Sequence, residues 1–257
     1  MIHCIGDSHA NFFSGWDAMG PAFPRRSFGR LPFFRSYRLG PVLAYSLHRE
    51  GTTNRGRENL FAILDRLPAG SRVLLCFGEI DCRAHLLRQA EQKNRPIEEV
   101  VRDCVEKYFS VFEELQRKGF APIAWGVTPS TAVTVTDPAY PTYGTCAQRN
   151  AITRLFNTTL AGHCRSAGIP FVSIYHELVD ANDLTDMTYF SDSIHLSQRA
   201  MPLALRAFRQ TLPELSWANH ATPLRTLTAS MLNRAAFLFH KGLTSIARIF
   251  GHHPRTA

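Results

Sequence analysis

The chain has 257 residues and a mass of 28.9 kDa, with 45% hydrophobic, 19% charged and 11% aromatic residues. This composition excludes a disordered protein, a collagen-like repeat and a disulfide-stapled miniprotein, and the length suffices for one large domain. The net charge of +8 is local, because residues 18–49 and the residues after Glu214 hold basic side chains and no acid, which indicates either an anionic partner or a solvated basic surface.

The N-terminus and the cysteines predict a cytoplasmic protein. Residues 1–7 end in the acid Asp7 and have no basic segment ahead of a long apolar core, so we predict no signal peptide. No apolar run reaches about 18 residues, which argues against a membrane-spanning helix. The six cysteines form no CxxC pair and show no zinc-ligand spacing, so we expect reduced thiols and no structural zinc.

Apolar runs of strand length alternate with segments of helical spacing. The strand-like runs are residues 1–5, a weaker run at 33–39, 72–77, 120–127 and 169–175. The helical patterns cover residues 97–118 and 147–167. Apolar runs without polar alternation are typical of strands that are covered on both faces. The sequence therefore predicts an α/β protein, a three-layer α/β/α sandwich whose mainly parallel sheet has about five strands.

Two long loops, residues 10–39 and 128–144, each follow a predicted strand. In open parallel sheets, loops at the carboxyl ends of the strands build the ligand site. The first loop combines arginines with many aromatic residues, namely Phe12, Phe13, Trp16, Phe23, Phe28, Phe33 and Phe34. This combination indicates a site for a sugar, a phosphate or a polyanion, or else a loop that packs back on the sheet. No nucleic-acid-binding module is recognisable, so we expect no nucleic-acid partner.

Two short motifs carry the candidate chemistry. Gly6-Asp7-Ser8-His9 comes directly after the first strand, where a serine in a glycine-marked turn can hold its hydroxyl above the sheet edge. Near the other end of the chain, Asp192 precedes His195 by three residues. An acid at this distance can fix the imidazole tautomer and leave the second ring nitrogen free to take the serine proton. Either motif alone also fits a turn serine or a surface-loop histidine.

Taken together, the motifs resemble the SGNH (GDSL) hydrolase family over roughly residues 1–212. The matching blocks are Gly6-Asp7-Ser8, Gly40 opening an apolar helix, Gly78-x-x-Asp81, Arg149-Asn150, and Ser191-Asp192-x-x-His195-Leu196-Ser197. The resemblance implies an SGNH/flavodoxin-like fold. It also implies that Ser8 is the nucleophile, His195 the general base and Asp192 its orienting partner, and that the backbone N–H groups of Ser8 and Gly40 line an oxyanion hole.

The third block departs from the family pattern Gly-x-Asn-Asp, because Ile80 stands where the family has an asparagine that donates to the oxyanion. Loss of one such donor typically costs about 2.7–4 kcal/mol of transition-state stabilisation. Arg83 is a candidate substitute donor, and Glu79 and Asp81 are candidates to hold it in place. The alternative for these three residues is a structural ion pair at the end of a strand.

Residues 215–257 are predicted to form a basic helical extension of a domain that covers residues 1–214. Apolar residues recur there at steps of three and four, namely Leu224, Leu227, Met231, Ala235, Leu238, Ile246 and Ile249. Such an amphipathic helix packs on the domain or on a second subunit, which we favour slightly, or lies in a membrane interface.

The sequence as a whole predicts an SGNH-like serine esterase or O-acyltransferase. We expect carbohydrate esters as substrates, on the basis of the aromatic and basic first loop, and neither a metal nor an organic cofactor. The rival hypothesis is a degenerate SGNH fold that binds a glycan or an anionic headgroup without turning it over. Ile80 favours this rival, whereas the retained Ser8, Asp192 and His195 argue against it.

Overall fold

The computed structural model describes residues 1–25, 30–135, 140–213, 215 and 221–249. Several positions used in the sequence predictions lie outside these residues, namely Arg26, Phe28, Pro138, Glu214, Phe250 and Arg255, and so do the side chains of Ile246, Arg248 and Ile249.

Five parallel strands form one sheet in the order β2-β1-β3-β4-β5. The strands are β1 (Ile2–Gly6), β2 (Phe34–Arg38), β3 (Arg72–Cys76), β4 (Ala121–Trp125) and β5 (Phe171–Val172). Each lies within a run that the apolar pattern predicts to be a strand. The prediction of a mainly parallel sheet of about five strands is confirmed.

The described residues form six α-helices beside the sheet: α1 (Gly56–Leu64), α2 (Leu86–Lys93), α3 (Ile97–Arg117), α4 (Cys146–Ser166), α5 (Met201–Thr211) and α6 (Ala221–Ile249). Two clusters of buried apolar side chains lie between the sheet and the helices, one on each face of the sheet. Alternate residues of β3 enter different clusters: Val73 and Leu75 pack with α1, α3 and α4, whereas Leu74 and Cys76 pack with α5. The sheet is therefore covered on both faces, as the apolar runs indicate.

The carboxyl ends of the central strands are level with one another. Gly6 at the end of β1 pairs with Arg38 on β2 and with Cys76 on β3. The segments that leave these strands therefore start from one edge of the sheet, and this is where the residues of the Gly-Asp-Ser motif lie. Ligand sites of open parallel sheets are found at this edge.

The expectation that Gly40 opens an apolar helix is wrong. Gly40 has a positive φ of +90°, and the chain continues through Pro41 into a short 3₁₀ turn over Ala44–Ser46, while the helix α1 begins only at Gly56. Proline fixes its own φ and disfavours the helical conformation in the residue before it. Gly40 therefore lies in a tight turn and not in a helix.

The aromatic residues of the first loop mostly pack in the core. Phe12 is 4% exposed, Phe13 is 0% exposed, and Phe34 belongs to β2 and is 1% exposed. Their rings contact Trp125 of β4 and Phe208 of α5. Of the two alternatives for these three side chains, packing back on the sheet is correct, because rings that are fully enclosed by the core offer no face to a ligand.

The first half of the long helix α6 packs along the domain. Thr226 and Ser230 are fully buried, and Phe237 contacts the ring of Trp16 edge-on. The guanidinium of Arg234 lies 3.2 Å from a carboxylate oxygen of Asp17. Among the described residues, no helix is both long enough and apolar enough to cross a membrane.

Candidate active site

Ser8 lies at the carboxyl edge of the sheet, where β1 ends and a 3₁₀ turn over Ser8–Ser14 begins. Asp7 caps this turn, since its Oδ1 accepts a hydrogen bond of 2.8 Å from the backbone N–H of His9. Gly6 permits the close approach of β1 to β3, because a Cβ at this position would stand 2.3 Å from the carbonyl oxygen of Cys76. Each residue of the motif therefore has a physical role in presenting the serine.

Asp192 and His195 form a preorganised pair in the loop before α5. Oδ1 of Asp192 accepts the backbone N–H groups of Ile194 and His195, at 2.9 and 2.8 Å, and Oδ2 lies 2.7 Å from Nδ1 of His195. Burial opposes ionisation of Asp192, but the hydrogen bond and the charge of His195 outweigh it and lower the pKa of Asp192 to about 2. The carboxylate stays ionised at neutral pH and fixes the orientation of the imidazole.

His195 lies next to the turn that carries Ser8. The centroid of its ring is 5.1 Å from that of His9, the residue that follows Ser8. Among the described residues, Nε2 of His195 is buried and has no hydrogen-bond partner, so no direct bond joins it to Ser8. Hydrogen bonds between catalytic groups are often long until substrate binds. The structure therefore brings the predicted base His195 next to the turn of the predicted nucleophile Ser8, and no described residue occupies Nε2 of His195.

Asp81 holds the turn that follows Gly40. Its carboxylate accepts the backbone N–H groups of Ala44 at 2.8 Å and of Tyr45 at 3.2 Å. Burial raises the pKa of Asp81 to about 6, although these two N–H groups oppose the rise. The role of Asp81 is thus to fix the backbone just beyond the predicted oxyanion glycine. Asp81 does not hold Arg83, which was the role expected from the sequence.

Glu79, Arg83 and His9 form a buried charged group beside the nucleophile turn. Nε of Arg83 donates to Oε1 of Glu79 at 2.6 Å, Nη2 donates to Oε2 at 3.2 Å, and Nη1 donates to the carbonyl oxygen of Tyr140 at 2.5 Å. Nε2 of His9 lies 3.4 Å from Oε2 of Glu79, as an ion pair without hydrogen-bond geometry. The contact between Glu79 and Arg83 fits both alternatives drawn from the sequence, an arginine held in place for the oxyanion and a structural ion pair, so the role of Arg83 as an oxyanion donor stays a prediction.

The charges within this group are mutually dependent. Burial opposes ionisation of Glu79, but His9 and Arg83 outweigh it and lower its pKa to about 2. Burial likewise opposes protonation of His9, yet Glu79 and Asp7 raise the pKa of this histidine. The structure places His9 between the ring of His195, the predicted base, and the carboxylate of Glu79.

Asp7 and Thr128 line a small cavity behind the turn. Burial raises the pKa of Asp7 to about 7, although His9 opposes the rise. Among the described residues, Oδ2 of Asp7 and Oγ1 of Thr128 have no hydrogen-bond partner. The cavity measures about 10 Å³ and is also lined by His9, Glu79 and Trp125. This volume is near the lower limit for one water molecule.

The Arg149-Asn150 block joins the loop after β4 to the loop that carries His195. Oδ1 of Asn150 accepts the backbone N–H of Ser130 at 2.7 Å, and its Nδ2 donates to the carbonyl oxygen of Asp183 at 2.7 Å. The guanidinium of Arg149 donates to Oγ of Ser130 and to the carbonyl oxygen of Thr131. The block therefore supports the site without contributing a reactive group.

In the part of the chain that the structure describes, no three His, Cys, Asp or Glu side chains are grouped so that they could hold a metal ion. All six cysteines are free in the described structure, and five of them are buried.

Comparison with known structures assigns the fold. A proposed platelet activating factor from Streptococcus pneumonia matches with a TM-score of 0.52 at 16% identity, over 81% of this chain and 82% of that chain. A GDSL-like lipase from Bacteroides thetaiotaomicron VPI-5482 matches with a TM-score of 0.50 at 16% identity, over 83% and 87%. The chain has the fold of the SGNH hydrolases. This confirms the predicted resemblance at the level of the fold.

Sequence comparison adds no closer relative. No family model and no curated protein matches the chain. At 16% identity, the similarity to these two structures is one of architecture, and the chemistry must be argued from the residues of this chain itself.

Proposed function

We propose that the chain is a serine esterase of the SGNH type, with Ser8 as nucleophile, His195 as general base and Asp192 as the residue that orients His195. One observation supports this assignment most strongly. The 2.7 Å contact between Asp192 and Nδ1 of His195 leaves Nε2 buried, and the ring lies 5.1 Å from that of His9, next to Ser8. Because Asp192 occupies Nδ1, Nε2 is the ring nitrogen left to accept the proton of Ser8.

In the proposed reaction, Oγ of Ser8 attacks the carbonyl carbon of an ester while its proton passes to Nε2 of His195. The tetrahedral oxyanion collapses, the bond to the leaving alkoxide breaks, and the imidazolium returns its proton to that oxygen. An acyl-serine and a free alcohol result. Water, or the hydroxyl of a second alcohol, then attacks the acyl-serine with the same proton shuttle and restores Ser8. Attack by water gives hydrolysis, and attack by a sugar hydroxyl gives O-acyl transfer.

The backbone N–H groups of Ser8 and Gly40 are the proposed oxyanion donors. Gly40 lies after β2, in a turn with φ of +90° that glycine adopts without strain. The contacts of Asp81 with Ala44 and Tyr45 fix the chain just beyond it. Ile80 is 4% exposed and carries no donor. With two donors in place of three, we expect slow turnover, since one donor is worth about 2.7–4 kcal/mol.

A polar groove supports a carbohydrate ester as the substrate class. This groove of about 540 Å³ begins at Pro41, next to Gly40. It is lined by polar and charged side chains that include Arg49, Thr52, Thr53, Asn54 and Tyr140. Hydroxyl, amide and guanidinium groups around one aromatic ring suit a polyhydroxylated substrate better than a long acyl chain. Because the loop aromatics Phe12 and Phe13 are buried, this groove replaces them as the basis for the proposal.

We also place the protein in the cytoplasm. The cysteines Cys4 and Cys76 lie on adjacent strands yet are free. Unpaired thiols are usual in a reducing compartment.

The first test is hydrolysis of a short-chain aryl acetate by the wild-type chain and by Ser8→Ala, His195→Ala and Asp192→Asn. The proposal predicts loss of turnover in the first two variants, because nucleophile and base act as one unit. Normal activity of Ser8→Ala would eliminate the serine mechanism. Substitution of Tyr140 by Ala should raise KM for an acetylated sugar and leave KM for the small aryl acetate unchanged. An equal effect on both substrates would remove the groove from the proposal.

The second candidate is a protein of the same fold that binds a glycan or an anionic headgroup without reacting. Two observations favour it: Ile80 in place of a donor, and the lack of a hydrogen bond between His195 and Ser8 in the described structure. This candidate predicts binding of an acetylated sugar by calorimetry, with equal affinity in Ser8→Ala, and no release of acetate over hours. Release of acetate by the wild type alone decides for the esterase.

A further inference from the structure

The outer face of α6 is an unpartnered apolar surface. We define it by the side chains of Leu224, Met231, Leu232, Leu238, Phe239 and Leu243. Each of these is between 50% and 71% exposed. These six make up half of the twelve large apolar side chains that are exposed among the described residues. Separations of one, four and seven residues among them place them on one side of a helix.

The opposite side of the same helix packs on the domain. Thr226 and Ser230 are fully buried there, and Oγ of Ser230 donates to Oε1 of Gln198 at 2.9 Å. Arg234 and Phe237 continue this side toward the segment that follows the nucleophile turn, where they contact Asp17 and Trp16. The helix is therefore already docked through one side. Its outer face points away from the domain core.

The second half of α6 extends beyond the domain. Every side chain from Leu238 to Ser245 is exposed. The 29 residues of the helix give it a length of about 43 Å. A helix that only completed the core of this domain would not carry a row of leucine and phenylalanine side chains into solvent along such a length.

The charge of the segment indicates what covers this face. After Glu214 the sequence contains Arg225, Arg234, Lys241, Arg248 and Arg255, and no acid. Pairing of two such helices would bring like charges together, because neither helix contains an acid; among the described basic side chains of the helix only Arg234 has a carboxylate partner, Asp17. An anionic lipid surface supplies both an apolar phase for the leucine and phenylalanine side chains and negative charge for the basic ones. Of the three alternatives drawn from the sequence, these observations favour the membrane.

We propose that α6 lies in the plane of an anionic membrane surface, with its outer face inserted among the headgroups, and that this helix attaches the protein peripherally to the membrane. The proposal does not depend on the esterase assignment. It accounts for a side of the helix that the packing of the domain leaves uncovered.

The test is co-sedimentation of the full chain with vesicles of phosphatidylcholine alone and of phosphatidylcholine mixed equally with phosphatidylglycerol. We expect binding to the anionic vesicles at low salt, and weaker binding at high salt because surface charge is screened. Exchange of Arg225 and Lys241 for glutamine should lower the partition coefficient about fivefold for each charge removed. Equal binding to both vesicle types would contradict the proposed contribution of the basic residues to membrane binding.

A matched pair of triple variants tests the apolar face. Leu232→Gln, Phe239→Gln and Leu243→Gln together should lower binding to anionic vesicles at least tenfold. Val133→Gln, Leu184→Gln and Met187→Gln remove three exposed apolar side chains from other surfaces and should leave binding unchanged. Both sets substitute exposed positions, and an unchanged thermal melting temperature confirms that folding is intact.

Two results would overturn the proposal. One is failure of the intact chain to bind anionic vesicles at low salt. The other is that the wild-type chain is a dimer, that the first triple variant is a monomer, and that both bind vesicles equally. This result would make the outer face of α6 a surface for a second copy of the chain. Light scattering on the same samples measures the oligomeric state.

Discussion

Exchange of Asp7 for asparagine should stabilise the protein at neutral and alkaline pH. Asp7 is fully buried, and only its Oδ1 has a hydrogen-bond partner among the described residues, the N–H of His9. Asparagine keeps this acceptor, since its side-chain oxygen caps a turn as well as aspartate does. The second oxygen becomes an amide that faces the small cavity beside Thr128. The substitution therefore removes a buried charge and retains the geometry of the nucleophile turn.

The magnitude follows from the shift in pKa. Burial raises the pKa of Asp7 from 3.8 to about 7. An acid whose pKa is higher in the folded state binds more protons when folded, so stability falls as pH rises from about 4 to about 7. At about 1.36 kcal/mol for each pH unit, the full penalty is about 4 kcal/mol above pH 8. About 3 kcal/mol of this penalty develops between pH 5 and pH 8, so the wild type loses that much stability over this range.

The assay is urea denaturation of the wild type and of Asp7→Asn at pH 5 and at pH 8. The stability advantage of the variant should increase by about 3 kcal/mol between the two pH values. Asp186→Asn is the control, because Asp186 also caps a 3₁₀ turn, through the N–H of Thr188, but is exposed and has a lowered pKa. Its effect should be the same at both pH values. A pH-independent effect of Asp7→Asn would refute the assignment of a raised pKa.

Three further predictions concern the site and its supports. Asp192→Asn should lower kcat for an aryl acetate on the order of 10⁴-fold while leaving measurable activity, since orientation of His195 is lost but the nucleophile remains; an unchanged kcat contradicts the pair. Arg83→Ala should destabilise the fold by about 3–5 kcal/mol, because the buried carboxylate of Glu79 loses its partner, and Arg83→Lys should reduce activity if the planar fork positions an oxyanion donor. Full activity in both Arg83 variants would leave this residue a structural ion pair. Gly6→Ala should destabilise the fold by about 3 kcal/mol, because its Cβ would stand 2.3 Å from a carbonyl oxygen of β3. The control is Gly162→Ala in α4, whose Cβ meets no neighbour and which should be neutral or stabilising in the same denaturation assay.

The architecture could be predicted from the sequence because its signal is local. Each strand of a parallel sheet is covered on both faces, so its apolar run is visible without knowledge of its neighbours. The contact between Asp192 and His195 could likewise be predicted, because the two residues lie three positions apart in one loop.

Properties that depend on distant contacts could not be predicted. The first loop, with its aromatic residues and arginines, has the composition of a ligand-binding loop. Only the contacts with Trp125 show that Phe12 and Phe13 belong to the core. His9 contacts His195, which is 186 positions further along the chain. No spacing rule connects residues so far apart.

The turn after Gly40 shows a different limit. A glycine followed by apolar residues has the composition of a helix start, but Pro41 and the positive φ of Gly40 direct the chain into a turn instead. The carboxylate of Asp81, from another strand end, then fixes this turn. Pro41 therefore already argues against a helix that begins at Gly40, and only the fixing of the turn by Asp81 depends on a tertiary contact that the segment does not contain.

The most direct test of the serine mechanism is the intact mass of the protein after treatment with a fluorophosphonate, which reacts with an activated serine. The account predicts one adduct per chain, located on Ser8 by peptide mapping, with no adduct in Ser8→Ala and a much slower reaction in His195→Ala. No adduct on the wild-type chain, or an adduct that persists in Ser8→Ala, would contradict the assignment of Ser8 as the nucleophile.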